Sequence, residues 1–444
     1  MARFVAAACR AAGPALGAGI CALALYLWTA APGLTWAHHG ADGGDLLAAA
    51  LTRGVPHPPG YPTYQVLLAA VVHLLPHNPA RAGNLLSAGC AAAAAALLAD
   101  LARRTIAGPA TRSRGVIALG VGLTWAASPG LWRQAIITEV YALNALACVA
   151  VLWLLQRSRE ATGRSARGWL VGAGLAFGLG LGNHLTLALL LPGLAVGFGA
   201  AWAAAQTRRA AAGERSRVHA PIGGGAFLAA CLAGLTIYAY LPWAAAGGPP
   251  INWGDASTIA GFRWLVGAEI YRGLVFGTPA AYLPQRLAAW GGEAGGQLGG
   301  GPWGMALALI GLWQLEQTDR RRWWMTTLIA LAYTIYSIGY NAADSDVYLL
   351  PAWAMASLWL GEGLAWLAAR ATAWRGPRWG AAGACLLAVG LPLASVVRWQ
   401  GEVNLRHERA AEQFLAEVRR TAERDAIVLV GGDRVTFALW YDRY

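Results

Sequence analysis

Apolar runs of about span length recur along this chain, separated by short stretches crowded with arginine. That alternation constrains the fold more than any motif, because a bilayer admits only helices or closed barrels, and a crossing helix needs roughly 20 apolar residues. Such runs lie at 11–31, 82–102, 115–132, 139–156, 168–182, 184–205, 221–243, 302–316, 323–340, 347–369 and 379–398, eleven in all. Composition agrees: 57% of the 444 residues are hydrophobic and 13% charged, with a mean hydropathy of +0.44. These values lie outside the soluble range, so the expectation is an all-α polytopic membrane protein.

All 34 basic residues are arginine, and against 22 acidic residues they leave a net charge of +12. Such a balance can signal nucleic acid. Here, however, the arginines cluster at Arg3/Arg10, Arg103/Arg104/Arg112/Arg114, Arg157/Arg159/Arg164/Arg167, Arg208/Arg209/Arg215/Arg217, Arg320/Arg321/Arg322 and Arg370/Arg375/Arg378, between the runs. The positive-inside rule accounts for them and makes their side cytoplasmic, so no nucleic-acid partner is expected. With eleven crossings every cluster falls on one side, the N-terminus is cytoplasmic and the C-terminus extracytoplasmic. The count requires TYQVLLAAVVHLLP, 63–76, not to cross; at fourteen residues it suits an interfacial or re-entrant helix.

The first run lacks a small-residue cleavage signature and reads as a retained signal anchor. Cys9, Cys21, Cys90, Cys148, Cys231 and Cys385 lie in or beside apolar runs without CxxC spacing, as packing residues do. No internal repeat is visible, which argues against transporter folds built from two copies.

The opposite side holds the loop 32–81, turns near 133–138, 183 and 341–346, the loop 244–301, and the tail from 400. Residues 1–399 form the expected membrane domain. The tail 400–444 reads as a small α/β piece, an amphipathic helix followed by AIVLVGGD as a buried strand. One strand makes no sheet, so the tail either leans on the membrane domain or is an incomplete soluble domain.

Setting the cytoplasmic arginines aside leaves Asp42, Asp45, His57, Asn84, Arg133, Glu139, His184, Asp255, Asp344, Asp346 and Asp433 at outer helix ends or in outer loops. Ionisable groups at membrane depth cost about 2.5–3.5 kcal/mol and tend to be functional. In DGGD, Asp42 and Asp45 share a face if a helix starts there, which suits a reactive pair and a helix cap equally. The prolines of VPHPPGYP present His57 and Tyr61 on a stiff non-helical loop, or simply make a turn. Glu139 and His184 sit at span ends, where polar packing between helices is the alternative. In PPINWGD, Asn252 and Asp255 occupy a rigid frame, and Trp253 is equally suited to anchoring at the interface. Arg263 and Arg272 follow in an interfacial helix, suited to a phosphate or to snorkelling toward headgroups. GxxxxGK[ST], HExxH and GxSxG are absent from the sequence.

The order DGGD, HPPGYP, NLLSA (84–88), EVYALNAL (139–146), GNHLT (182–186), YLPW and NWGD (240–255) and DSDVYLLP (344–351) resembles a bacterial family of HPPGYP-motif membrane proteins. That family is related to the eukaryotic transmembrane protein O-mannosyltransferases, within the C-type (GT-C) glycosyltransferase superfamily, and the likeness runs from about residue 11 to the end. It implies a GT-C bundle in the bacterial inner membrane, with a polyprenyl-phosphate-linked sugar as donor. The acceptor would be a protein hydroxyl or an envelope glycan on the outer face. Asp42 would be the base and Asp45 the second acid, where the family usually has glutamate. The chemistry needs a base at the acceptor hydroxyl and a cationic centre at the departing phosphate. His57, Arg133, His184, Arg263 and Arg272 are candidates for the latter, as is a divalent cation on Asp42, Asp45 or Asp255, although no spacing singles out a ligand set. The competing readings are a transporter or flippase of a lipid-linked substrate, and a scaffold that binds partners through its tail.

Overall fold

The computed structural model describes residues 2–106, 112–199, 222–423 and 425–444. Among them regular structure is helical, with a single isolated bridge pairing Val55 and Asn252. Helices stand at the apolar runs: Ala2–Thr29, Pro79–Thr105, Arg112–Ala126, Tyr141–Glu160, Gly163–Leu181, Ile222–Leu235, Pro302–Thr318, Arg320–Gly339, Leu350–Arg375 and Pro377–Val403. The run at 184–205 begins as a 3-10 turn, Leu185–Leu190, and continues helical to 199. Arg208, Arg209, Arg215 and Arg217 lie outside the described residues.

By length and composition alone, Pro79–Thr105, Tyr141–Glu160, Gly224–Ala246 and Arg378–Val403 can cross a membrane. Ser113–Ala126 and Pro129–Ala135 add a fifth if the pair, bent by 66°, is one span. The other helices are shorter or less apolar than a comfortable crossing. The 63–76 piece is a helix, Pro62–Leu74, of 13 residues.

Pro79–Thr105 is the hub, packed against Ala2–Thr29, Arg112–Ala126 and Tyr141–Glu160. Its alanine run permits this, since Ala91, Ala94, Ala95 and Ala99 are fully buried and small side chains let backbones approach where lipid supplies no hydrophobic drive. Pro302–Thr318 and Leu350–Arg375 touch backbone to backbone: a Cβ on Gly311 or Gly363 would strike the carbonyl of Trp359 or Leu307.

The tail departs from expectation. Pro377–Val403 runs past 398, and the chain then folds back, the Leu405 N–H donating to the Thr29 carbonyl at 2.9 Å. Residues 426–430 are extended but form no strand, and Ile427 and Leu429 are 89% and 90% exposed. Apolar β-branched sequence predicted a buried strand, yet among the described residues no second strand takes its backbone groups. The tail is therefore helical, built from Ala410–Thr421 and Asp433–Arg443, rather than α/β.

Candidate active site in the first long loop

After the first helix, His38 and His39 both adopt left-handed backbone (φ 58° and 67°), an arrangement that costs of order 1 kcal/mol or more per residue. The His38 ring, bonded at 3.0 Å to the Val403 carbonyl, ties this turn to the last long helix. Burial lowers the His38 pKa to about 4, so the ring is neutral and Nε2–H is the donor. The turn delivers Asp42 to the N-cap position of the helix Gly43–Thr52.

Asp42 makes no capping hydrogen bond, so the cap reading is corrected and its carboxylate is unspent. Asp45, fully buried, accepts from the His57 backbone N–H (2.9 Å) and His57 Nδ1 (2.7 Å) through Oδ2, and from Trp253 Nε1 (3.1 Å) through Oδ1. A carboxylate can only accept, so Nδ1 carries the proton. His57 Nε2 then faces Asp42 Oδ2 at 3.5 Å. The order is buried acid, imidazole, open acid, and Asp42 keeps 37% of its side chain accessible.

Backbone bonds of the HPPGYP loop help to hold this order. Gly60 (φ 86°) donates its N–H to the His57 carbonyl at 2.9 Å, and a Cβ there would stand 2.9 Å from Leu241. Val55 N–H donates to Ile251 O (2.8 Å) and Trp253 N–H to Val55 O (3.1 Å), so loops 32–81 and 244–301 pair and Trp253 reaches Asp45. Trp253 thus spends its indole N–H on Asp45.

Desolvation is the largest influence on both titrating partners. It raises Asp42: although partly accessible, the group lies in a recess walled by protein, and the charges of Asp45, Asp344 and Asp433 lift it further while His57 opposes them. It pulls His57 down, but the Asp42 charge and the Asp45 hydrogen bond and charge outweigh it and raise His57 to about 9. The raised His57 value favours an imidazolium between the two acids.

Around this centre Tyr61 meets the His57 ring edge-on at 5.1 Å and stacks on His184 at 6.0 Å, and Tyr141 and Tyr348 complete an aromatic wall. His184 bonds Thr186 Oγ1 at 2.7 Å and caps its own turn. Glu139 is buried near the same charges, with Oε1 unpartnered. Asn252 is half-buried in the paired loop.

Other candidates lie elsewhere. Asp255 is exposed and accepts from Ser257 Oγ at 2.6 Å, so it shapes a turn. Arg263 is exposed, and Arg272 pairs at 3.4 Å with Glu269. Asn84 is spent on structure: it donates to the carbonyls of Ala31 (2.9 Å) and Gly33 (3.0 Å) and accepts from Thr138 Oγ1 (2.8 Å). Asn84→Ala would strand these groups, at about 2–4 kcal/mol. The expected outcome is a lower Tm in detergent, and an unchanged Tm would refute the clamp.

Arg133 and Asp346 join a separate recess of about 340 Å³ with His39, Arg286, Trp290 and Glu293. His39 Nε2 lies 3.7 Å from Asp346; Arg286 holds Ser345 Oγ at 2.5 Å and the Ala342 carbonyl at 3.0 Å. Arg133 Nε is buried without a partner. Burial and, secondly, the Asp346 charge raise Glu293 to about 7, against Arg133. Asp344, two residues from Asp346, contributes charge at Asp42, so recess and acid centre adjoin.

Sequence reasoning passed over Arg286, Glu293 and Phe437, whose ring lies 6.2 Å from that of His57. Arg286 and Glu293 lie in one helix, Leu283–Gln297, a signal only once the position of loop 244–301 is known. Among the described residues no three His, Cys, Asp or Glu side chains converge as metal ligands, and Asp45 already spends both oxygens on donors, so the suggested divalent cation finds no donor set.

Residues 42–206 match the model of the protein O-mannosyl-transferase TMEM260 N-terminal domain, a window that opens on Asp42 and includes Asp45, His57, Glu139 and His184. The protein O-mannosyl-transferase TMEM260 of Mus musculus is 34% identical over 154 residues, 34% of this chain. The match spans 21%, about a fifth, of that relative's length. Among solved structures, ArnT from Cupriavidus metallidurans bound to undecaprenyl phosphate superposes with a TM-score of 0.61 at 14% identity, covering 96% of this chain and 83% of that one. The archaeal oligosaccharyltransferase AglB from Archaeoglobus fulgidus, in complex with an inhibitory peptide and a dolichol-phosphate, gives 0.55 at 12%, covering 92% and 58%. The likeness to both is one of fold.

Proposed function

From this GT-C fold and its relation to the protein O-mannosyl-transferases, we propose that the chain is a membrane glycosyltransferase that moves a sugar from a polyprenyl-phosphate donor to a hydroxyl of a protein or envelope glycan. The observation that carries the reading is Asp42, an uncapped, accessible carboxylate backed by an imidazolium that is itself held by a buried acid. Asp42 takes the proton from the acceptor hydroxyl as oxygen attacks the anomeric carbon, and the carrier phosphate leaves from the opposite face with inversion. His57 keeps Asp42 ionised amid Asp45, Asp344 and Asp433. Arg133 and Arg286, which line the recess beside this centre, receive the leaving phosphate. Eleven crossings in the bacterial inner membrane, N-terminus inside and tail outside, put the centre on the extracytoplasmic face, as the arginine distribution supports. Residues 1–399 act as the membrane catalytic domain.

The test is purified protein in vesicles with a polyprenyl-phosphate-linked hexose and a hydroxyl-bearing peptide or glycan, read by mass spectrometry of the acceptor. The expected result is a hexose increment on the acceptor. Movement of intact donor across the bilayer with no covalent change would replace this reading with transport. The rate should fall as pH drops through a pKa above the usual aspartate value, because protonated Asp42 accepts nothing. It should also fall as pH rises through about 9, as the imidazolium is lost. A profile flat between pH 4 and 10 would remove Asp42 and His57 from the chemistry.

A further inference from the structure

The C-terminal helix Asp433–Arg443 packs on the first outer loop, at the far end of the chain from it. Phe437, 4% exposed, lies with its ring 6.2 Å from His57 and nearly parallel to it, at 11°. On its other sides it meets Trp253 at 6.2 Å and Trp440 at 5.4 Å. The imidazole is therefore gripped at its Nδ1 edge by Asp45, against its plane by Phe437 and from the side by Tyr61. Such aromatic contacts have a preferred geometry, so they orient as well as bury.

The same contact explains a glycine of DGGD. A Cβ on Gly44 would collide with the Phe437 carbonyl and stand 2.9 Å from the Ala438 nitrogen, so only glycine lets the terminal helix seat. Several bonds hold it there. Trp36 Nε1 donates to the Arg434 carbonyl at 2.9 Å beneath the Arg434 guanidinium, Tyr441 Oη accepts from Ala80 N–H at 3.4 Å, and Arg419 grips the Asp442 carboxylate. The exposed 426–430 segment only tethers it.

We propose that this helix is a wall of the catalytic centre and that Phe437 is a positioning residue, fixing the His57 plane so that Nε2 faces Asp42. The inference rests on the catalytic reading of Asp42 and His57 above. Phe437→Leu keeps an apolar side chain and removes the plate. It should lower kcat about tenfold or more with KM for the donor unchanged, since a small displacement of a catalytic group costs up to about a hundredfold. It should also speed carbethoxylation of His57 by diethylpyrocarbonate several-fold, read by peptide mass spectrometry. Phe437→Tyr, which keeps the ring, should restore both, and Gly44→Ala should reproduce the leucine phenotype from the opposite side of the contact. His57 reactivity unchanged in Phe437→Leu, or Phe437→Tyr as impaired as leucine, would overturn the proposal. If the wild-type protein transfers no sugar, the glycosyltransferase reading fails, and His57 reactivity alone still decides whether the helix is a wall.

Discussion

Asp42→Asn is expected to lower sugar transfer by about three orders of magnitude while the protein still inserts and folds. A positioned general base contributes about 10²–10⁴ in rate, and the amide keeps shape while losing the ability to take a proton. Asp42 makes no cap bond, so no helix-start hydrogen bond is lost with it. Its contact with His57 is long, at 3.5 Å, so the fold loses little. Replacing one carboxylate in a group where Asp45, Asp344 and Asp433 repel it relieves charge crowding but also removes a counter-charge of His57, so stability should change little. Transfer retained at wild-type rate in Asp42→Asn would dismiss the assignment of the base.

Asp45→Asn should be the more damaging substitution to the fold. Its carboxylate receives two donors from His57 and one from Trp253 in full burial. An amide must point its own NH₂ at one of those donors and leaves the imidazolium without its buried counter-charge. Breaking a buried pair in this way costs about 3–5 kcal/mol. The pH behaviour carries a sign. A histidine raised to about 9 contributes stability that is complete below its unfolded value of roughly 6.5 and disappears as pH rises through about 9. Without Asp45 the His57 value drops, so the loss of stability and the alkaline limb of activity both move to lower pH. An alkaline limb left at about 9 in Asp45→Asn would show that Asp45 does not govern His57.

A glutamate at this position would bring one more methylene into a site with no exposed surface. The shorter Asp45 reaches His57 Nδ1 at 2.7 Å directly, so the departure noted in the sequence is compatible with a close acid–imidazole pair.

Local chemistry made part of the site legible. Asp42, Asp45 and His57 lie within sixteen residues, and proline stiffness with helical spacing was enough to bring them together. Trp253 stood next to a rigid Pro/Gly frame with two meanings, lipid anchor or site. The choice depended on a backbone pairing between Val55 and Asn252 that no local pattern encodes. Asp255, two residues on, turned away because its carboxylate closes a turn with Ser257. The tail misled for the opposite reason: AIVLV has strand propensity, but a strand exists only where another supplies its hydrogen bonds.

By itself, then, the chain's sequence determined that it is a helical membrane protein, and through the spacing of its arginines against apolar runs it implied which ends of the helices share a face. These are properties of charge and length that act span by span, without reference to neighbours. Tertiary structure decided which of the candidate polar residues meet. It divided them between an acid–imidazole–acid centre and an arginine-lined recess, gave Asn84 to the scaffold, and brought Phe437 from the far end of the chain onto His57. Those outcomes depend on contacts between segments hundreds of residues apart, where packing, close glycine approaches and backbone pairing set the geometry and local propensity is silent.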